Sequence, residues 1–192
     1  MSEGISLGWN CYSASWAVNA GIRNTRENGY LTCPFDEMLS NYEGVVNCIE
    51  NDFEGFTDPN YLELKDIPSS SKYCSGDTLV YNRKYKFLFN HESPGHANLY
   101  IDQKWPGGKE HYIADNWKIF RERYNRRIDN FRNYMISNKL ITFIITYPGS
   151  TIELENAIRK TYPNTRFQIK KIQIQNAEHY KLHMELMGVI VE

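Results

Sequence analysis

The stretch from residue 140 to 174 constrains the fold of this chain more than any other. Leu140-Ile141-Thr142-Phe143-Ile144-Ile145-Thr146-Tyr147 is a run of apolar, aromatic and β-branched residues closed by Pro148-Gly149. Ser150 or Thr151 stands where a helix N-cap belongs, and a helical pattern continues through about residue 161. A second strand is predicted over 167–174. A strand–helix–strand run of this kind favours parallel pairing and a right-handed crossover. The N-terminus repeats the theme: a short strand over 4–8, a turn at Trp9-Asn10, and a helix over 11–20 with Gly21 as its stop. Both strands are short and apolar, as covered central strands are. The pattern predicts an α/β fold, a three-layer sandwich with a mostly parallel sheet (Rossmann-like).

Between these units the reading is less regular. Residues 30–35 form an extended piece, Asp36 occupies an N-cap position, and the apolar spacing from Met38 to Phe53 predicts an amphipathic helix over 37–50. Residues 54–76 are rich in Pro, Ser, Asp and Gly and read as loop. Strands are expected at 78–81 and 85–90, with His91 entering a turn at Ser93-Pro94-Gly95. A further turn falls at Trp105-Pro106-Gly107-Gly108, a helix over about 113–137, and a last strand over 183–191.

The chain has 192 residues, enough for one domain, 1–192, with its own core. Its formal net charge is −1, but residues 1–60 carry two Arg against nine Asp and Glu, and the basic excess lies beyond them. That balance gives no strong signal for nucleic acid or an anionic membrane. No apolar run is long enough to span a bilayer, and the first residues lack the pattern of a signal peptide, so a cytoplasmic location is expected. The four cysteines, Cys11, Cys33, Cys48 and Cys74, lack metal-ligand spacing, and a chain this long needs no disulfide framework. No complete cofactor motif is present, and none of metal or cofactor is expected.

In open α/β sheets ligands bind beyond the carboxyl ends of the strands. Cys11 and His91 both fall just past a predicted strand. A thiol at a helix N-terminus meets partial positive charge and free N–H groups, which favour the thiolate and can hold an oxyanion. Gly8 gives the turn its backbone freedom, and Ser6 and Asn10 could add side-chain donors. His91 is the candidate proton acceptor and His96 its rival. Asp36, Glu92 and Asn90 are candidates for the group that orients the ring. His111, His179 and His183 read as structural.

Ile5-Ser6-Leu7-Gly8-Trp9-Asn10-Cys11 with Ala14, then Gly21-Ile22-Arg23, Pro34-Phe35-Asp36 and Ser40, resembles the family labelled putative papain-like cysteine peptidases. Phe89-Asn90-His91-Glu92 resembles its strand-end histidine motif. Tyr124-Asn125-Arg126-Arg127-Ile128 with Phe131 resembles its Arg-rich helix, and Thr142-Phe143-Ile144-Ile145 the strand that follows. The resemblance covers roughly 5–175. It implies a thiol hydrolase or acyl transferase with Cys11 as nucleophile and His91 as base, acting on a peptide or small-molecule substrate. It also implies a papain-like α+β fold as the alternative architecture. A second function stays open: an anion-binding or group-transfer protein that cradles a nucleotide, sugar phosphate or glycan at the Gly8–Cys11 helix start, with Arg23, Arg126 and Arg127 as forked donors. A third is a non-catalytic adaptor, supported only by the many aromatic residues.

Overall fold

A computed structural model describes residues 2–92 and 110–190. The expected turns at 93–95 and 105–108, and His96, lie outside them. The described strands form two sheets of three. One is parallel, in the order β1 (Ser2–Ser6), β5 (Leu140–Thr146), β6 (Phe167–Ile172). β1 pairs with β5 from Ser2↔Leu140 to Ser6↔Ile144, and β5 with β6 from Ile141↔Phe167 to Thr146↔Ile172. The strand–helix–strand unit read from the sequence is therefore present, with α4 (Ile152–Thr161) as its crossover.

Alternation along β5 sends its side chains to two faces. Ile144 meets Ala17 of α1 (Tyr12–Asn19) and Ile172 on one side. Ile141, Phe143 and Ile145 enter the main core on the other. That core is completed by Leu154 and Ile158 of α4, Val45 and Ile49 of α2 (Tyr42–Glu50), and Phe120, Tyr124 and Phe131 of α3 (Glu110–Met135). The backbone of α3 leaves helical geometry from Ala114 to Trp117, so its regular stretch begins later than the sequence pattern suggests.

The second sheet is antiparallel, in the order β2 (Leu62–Asp66), β3 (Thr78–Asn82), β4 (Phe87–Phe89). This corrects the expectation of one mostly parallel sheet. Only four residues separate β3 from β4, and a parallel return needs a crossover of a dozen or more residues. β2 also lies inside the stretch read as loop; turn residues flank it and its sequence, Leu-Glu-Leu-Lys-Asp, is largely polar. One face of this sheet sends Val80, Phe87 and Phe89 into the main core. The other buries Leu79, Tyr81 and Leu88 against Met184 and Met187.

Those methionines belong to α5 (Ala177–Leu186), where a strand over 183–191 was expected. Asn176 caps the helix by accepting the His179 N–H at 2.9 Å. Gly188, at φ +72°, ends it in a Schellman motif with Val189 N–H donating to Met184 O at 2.8 Å. The apolar Gly188-Val189-Ile190 tail imitates a strand, but the preceding i, i+4 spacing of Tyr180 and Met184 is helical.

A second correction falls on 37–50. Pro34–Glu37 is a short 3-10 helix, residues 38–41 are extended, and α2 starts only at Tyr42. Its N-cap is Asn41, which accepts the Gly44 N–H at 2.7 Å, and not Asp36. The extended piece is held by partners outside itself. Leu39 and Leu88 exchange backbone hydrogen bonds at 2.7 and 3.1 Å, and Ser40 N–H donates to Trp9 O at 2.8 Å.

Gly8 lies under this strap. Its φ is +95°, and a Cβ there would collide with the Ser40 side chain. Gly8→Ala should therefore lower stability by about 2–4 kcal/mol, the range of a substitution combining left-handed strain with overpacking. Urea unfolding of Gly8→Ala beside Gly8→Ala/Ser40→Gly checks it: the double variant should recover the collision part and retain the strain part.

Candidate functional site

The parallel ladder continues past β1 to Gly8. Leu7 N–H donates to Ile144 O at 2.8 Å and Thr146 N–H to Gly8 O at 3.0 Å. Ser6 Oγ accepts the Gly8 N–H at 3.2 Å, and Ser13 Oγ donates to Gly8 O at 2.6 Å while lying 3.1 Å from Thr146 Oγ1. Ser6 and Gly8 thus build the turn with their polar groups bonded inside the fold. Asn10 Oδ1 accepts the Tyr12 N–H at 3.0 Å, and Cys11 occupies the N-cap position of α1.

The electrostatic expectation for the thiol is reversed. Burial pushes the Cys11 thiol above the ordinary cysteine value, and its own backbone N–H only partly offsets that. Desolvation is the larger of the two causes.

Cys11 opens onto a groove of about 320 Å³ that follows α1 past Ala14, Ser15, Val18 and Asn19 to Arg23, Arg26, Asp36 and Glu37. Of the residues expected at the site, the groove brings together Cys11, Arg23 and Asp36. Asp36 has both carboxylate oxygens engaged: Oδ1 accepts from Arg23 Nη1 at 2.7 Å, and Oδ2 from Tyr30 Oη at 2.9 Å and Cys33 N–H at 2.8 Å. Its observed partners fix the Arg23 side chain and the 3-10 helix. Glu37 pairs with Arg26 and, through Oε2 at 2.5 Å, with Arg127 of α3. Arg126 is exposed on α3 and does not line the groove.

Three buried polar residues, Asn90, His91 and Glu92, follow β4. Glu92 is gripped by Arg123, whose Nη1 lies 2.6 Å from each carboxylate oxygen. Burial raises the Glu92 carboxyl, and Arg123 and Arg127 oppose the rise. Asn90 Nδ2 donates to Tyr73 Oη at 2.8 Å. Tyr73 lies within electrostatic reach of Cys11: burial raises its phenol first, and the charges of Cys74 and Cys11 add to that. No hydrogen bond links Cys11 to a histidine among the described residues.

Sequence reading missed Arg26, Glu37, Tyr73 and the ordering role of His183. Trp9 Nε1 donates to His183 Nδ1 at 2.8 Å, and the Tyr73 ring stands edge-on to the imidazole with centroids 4.1 Å apart. His183 therefore touches the turn before Cys11 and the tyrosine bonded to Asn90. Arg26 and Glu37 carried a local signal, as neighbours of Arg23 and Asp36. Tyr73 and His183 carried none, because their contacts join distant segments. No group of three or more His, Cys, Asp or Glu among the described residues could hold a metal ion. All four cysteines are free thiols. No described helix is long and apolar enough to cross a membrane.

The fold and this Cys-centred groove define a mixed α/β protein with one parallel and one antiparallel sheet. The family model described as "Putative papain-like cysteine peptidase (DUF1796)" matches residues 3–171, and the chain belongs to that family. No curated protein and no solved structure matches the chain significantly.

Burial, with His179 nearby, lowers the His183 pKa from 6.5 to about 4. Protonation would also displace the Trp9 hydrogen bond from Nδ1. A depressed pKa means that the unfolded chain binds the proton first as pH falls. The contribution is complete above pH 6.5 and is lost progressively down to about pH 4. Stability should fall by about 2 kcal/mol between pH 6.5 and 5 from this residue. Asparagine can accept the Trp9 N–H without titrating. The difference in urea midpoint between wild type and His183→Asn should therefore shrink over that interval, and a constant difference would contradict the assignment.

Proposed function

We propose that this protein is a thiol hydrolase or acyl transferase that acts on a peptide or small acyl substrate, with Cys11 as nucleophile and His91 as proton acceptor. The observation that carries the reading is the placement of Cys11, at the start of α1 and at the mouth of a groove long enough for an extended substrate. Membership of the family supports the reaction class.

In this reading the thiol is protonated in the free protein, so a base must remove its proton as sulfur attacks the carbonyl carbon. His91 takes the proton, the carbonyl π electrons move onto oxygen, and N–H groups at the start of α1 receive the oxyanion. Asn10 keeps its Nδ2 donors for that role, since Oδ1 is occupied by Tyr12. Collapse of the intermediate expels the amine, alcohol or thiol leaving group with the proton from His91. Water, or an acceptor nucleophile, then cleaves the thioester, passing its proton through His91 and restoring the Cys11 thiol. The reading requires the Cys11–His91 contact to close on substrate binding, since His91 does not line the groove. Four free thiols suit the reducing cytoplasm, which is the location proposed.

Mass spectrometry of the protein treated with p-nitrophenyl acetate and a panel of peptide thioesters tests the reading. An acyl adduct on Cys11 is expected, absent in Cys11→Ala. His91→Asn should lower kcat/KM by about 10²–10⁴-fold. Adducts that persist in Cys11→Ala, or none on Cys11 in the wild type, overturn it. Because burial raises the thiol pKa, iodoacetamide alkylation of Cys11 should keep accelerating above pH 9.0. A rate plateau below neutrality would show an activated thiolate instead.

A further inference from the structure

Two carboxylates line the Cys11 groove, yet both are turned into the protein. Asp36 and Glu37 are 3% and 5% exposed, and every carboxylate oxygen has a cationic, hydroxyl or amide partner. The guanidinium groups are arranged differently. Arg23 is held by Asp36 through Nη1 alone, with its Cζ 4.2 Å from the Tyr30 ring centroid. Its Nε has no hydrogen-bond partner, although the side chain is only 9% exposed. Arg26 lines the same groove with half its side chain accessible. Glu27 also acts on Arg26, so the three guanidinium groups here, with Arg127 behind Glu37, are matched by carboxylates, and what this end of the groove retains is the unbonded Nε donor of Arg23.

A desolvated guanidinium already locked in place loses little freedom on binding and retains donors in a fork matched to an oxyacid. Arg23 follows the C-terminal end of α1, and its N–H donates to Ala17 O at 3.1 Å. The groove therefore runs beside α1 from Cys11 to the arginines, on the order of 12 Å by helical rise.

We propose that the arginine end of the groove, Arg23 with Arg26, binds an anionic oxygen group of the substrate, a carboxylate or a phosphate, on the order of 12 Å from the reacting carbonyl. This rests on Cys11 as the reacting group for its substrate role, but the anion site itself is testable without turnover. It replaces an anion cradled on the Gly8–Cys11 turn with one recognised at the far end of α1.

Calorimetric titration with inorganic phosphate and with glutarate, in buffer free of other polyvalent anions, reads the site directly. One saturable site is expected, weakened about tenfold by Arg26→Gln, as for loss of a charge-assisted hydrogen bond. Arg26 is half exposed, so this variant should fold; Arg23→Gln, checked for folding by circular dichroism, should weaken binding at least as much. Arg126→Gln, which alters an exposed arginine outside the groove, should leave binding unchanged, and so should Cys11→Ala. Tighter phosphate points to a phosphorylated substrate, and tighter glutarate to a carboxylate. Absence of saturable binding, or equal weakening by Arg126→Gln, overturns the proposal. If these anions bind as expected while no Cys11 acyl adduct forms, the hydrolase reading fails and the anion site stands.

Discussion

The two sheets of this protein share no strand, and the strap at residues 38–41 joins them. Leu39 adds a bridge to Leu88 in β4, while the next residue, Ser40, donates its backbone N–H to Trp9 O and its hydroxyl to Leu7 O. Two adjacent residues therefore hold the turn that presents Cys11 against the strand that leads to Asn90 and His91. The close approach leaves no room for a side chain on Gly8. Buried backbone groups must find partners, and here those of 38–41 find them on both sides. The geometry of the whole site depends on that exchange. A shift of the strap would alter how the Cys11 turn sits against the end of β4.

One physical cause, burial, governs the ionisable groups around this junction. It raises the Cys11 thiol and the Glu92 carboxyl and lowers the His183 imidazole, in each case favouring the neutral form. The carboxylates at this junction have immediate partners. Asp36 has Arg23, Tyr30 and the Cys33 amide; Glu37 has Arg26 and Arg127; Glu92 has Arg123. Breaking one partner from such a pair leaves an uncompensated charge, so these residues order the groove wall whatever passes through it. Among the described residues the thiol has no charged partner of this kind, and only its own backbone opposes the effect of burial.

These contrasts also explain what could be read from the sequence. The 140–174 unit was legible because one continuous apolar strand, a proline–glycine turn and a helix with acidic first and basic last turns all agree locally. The strand before Cys11 was legible for the same reason. The strap was not: Met38 and Leu39 fall at helical spacing, and only contacts to Leu88 and Trp9 make them extended. β2 was hidden because its pairing with β3 supplies the order that its polar sequence lacks. At the site, Cys11, Arg23 and Asp36 share one groove, as candidates chosen separately by residue type. The readings of Asp36 as helix cap and of Cys11 as a field-activated thiolate both assumed local control. Burial and long-range bonding decide those positions instead.

α5 extends this reasoning beyond the segment that carries the family match, which ends at residue 171. Without α5, the outer face of the antiparallel sheet would expose Leu79, Tyr81 and Leu88 together, a contiguous apolar patch of the kind soluble domains cover. Met184 and Met187 cover it, and the same helix places His183 against Trp9 and Tyr73. The cover and the clamp are thus one element. Trp9 is two residues from Cys11, and Tyr73 is bonded to the residue before His91. Packing of the sheet's outer face therefore orders the approach to Cys11, although α5 lines no part of the groove in which that thiol lies.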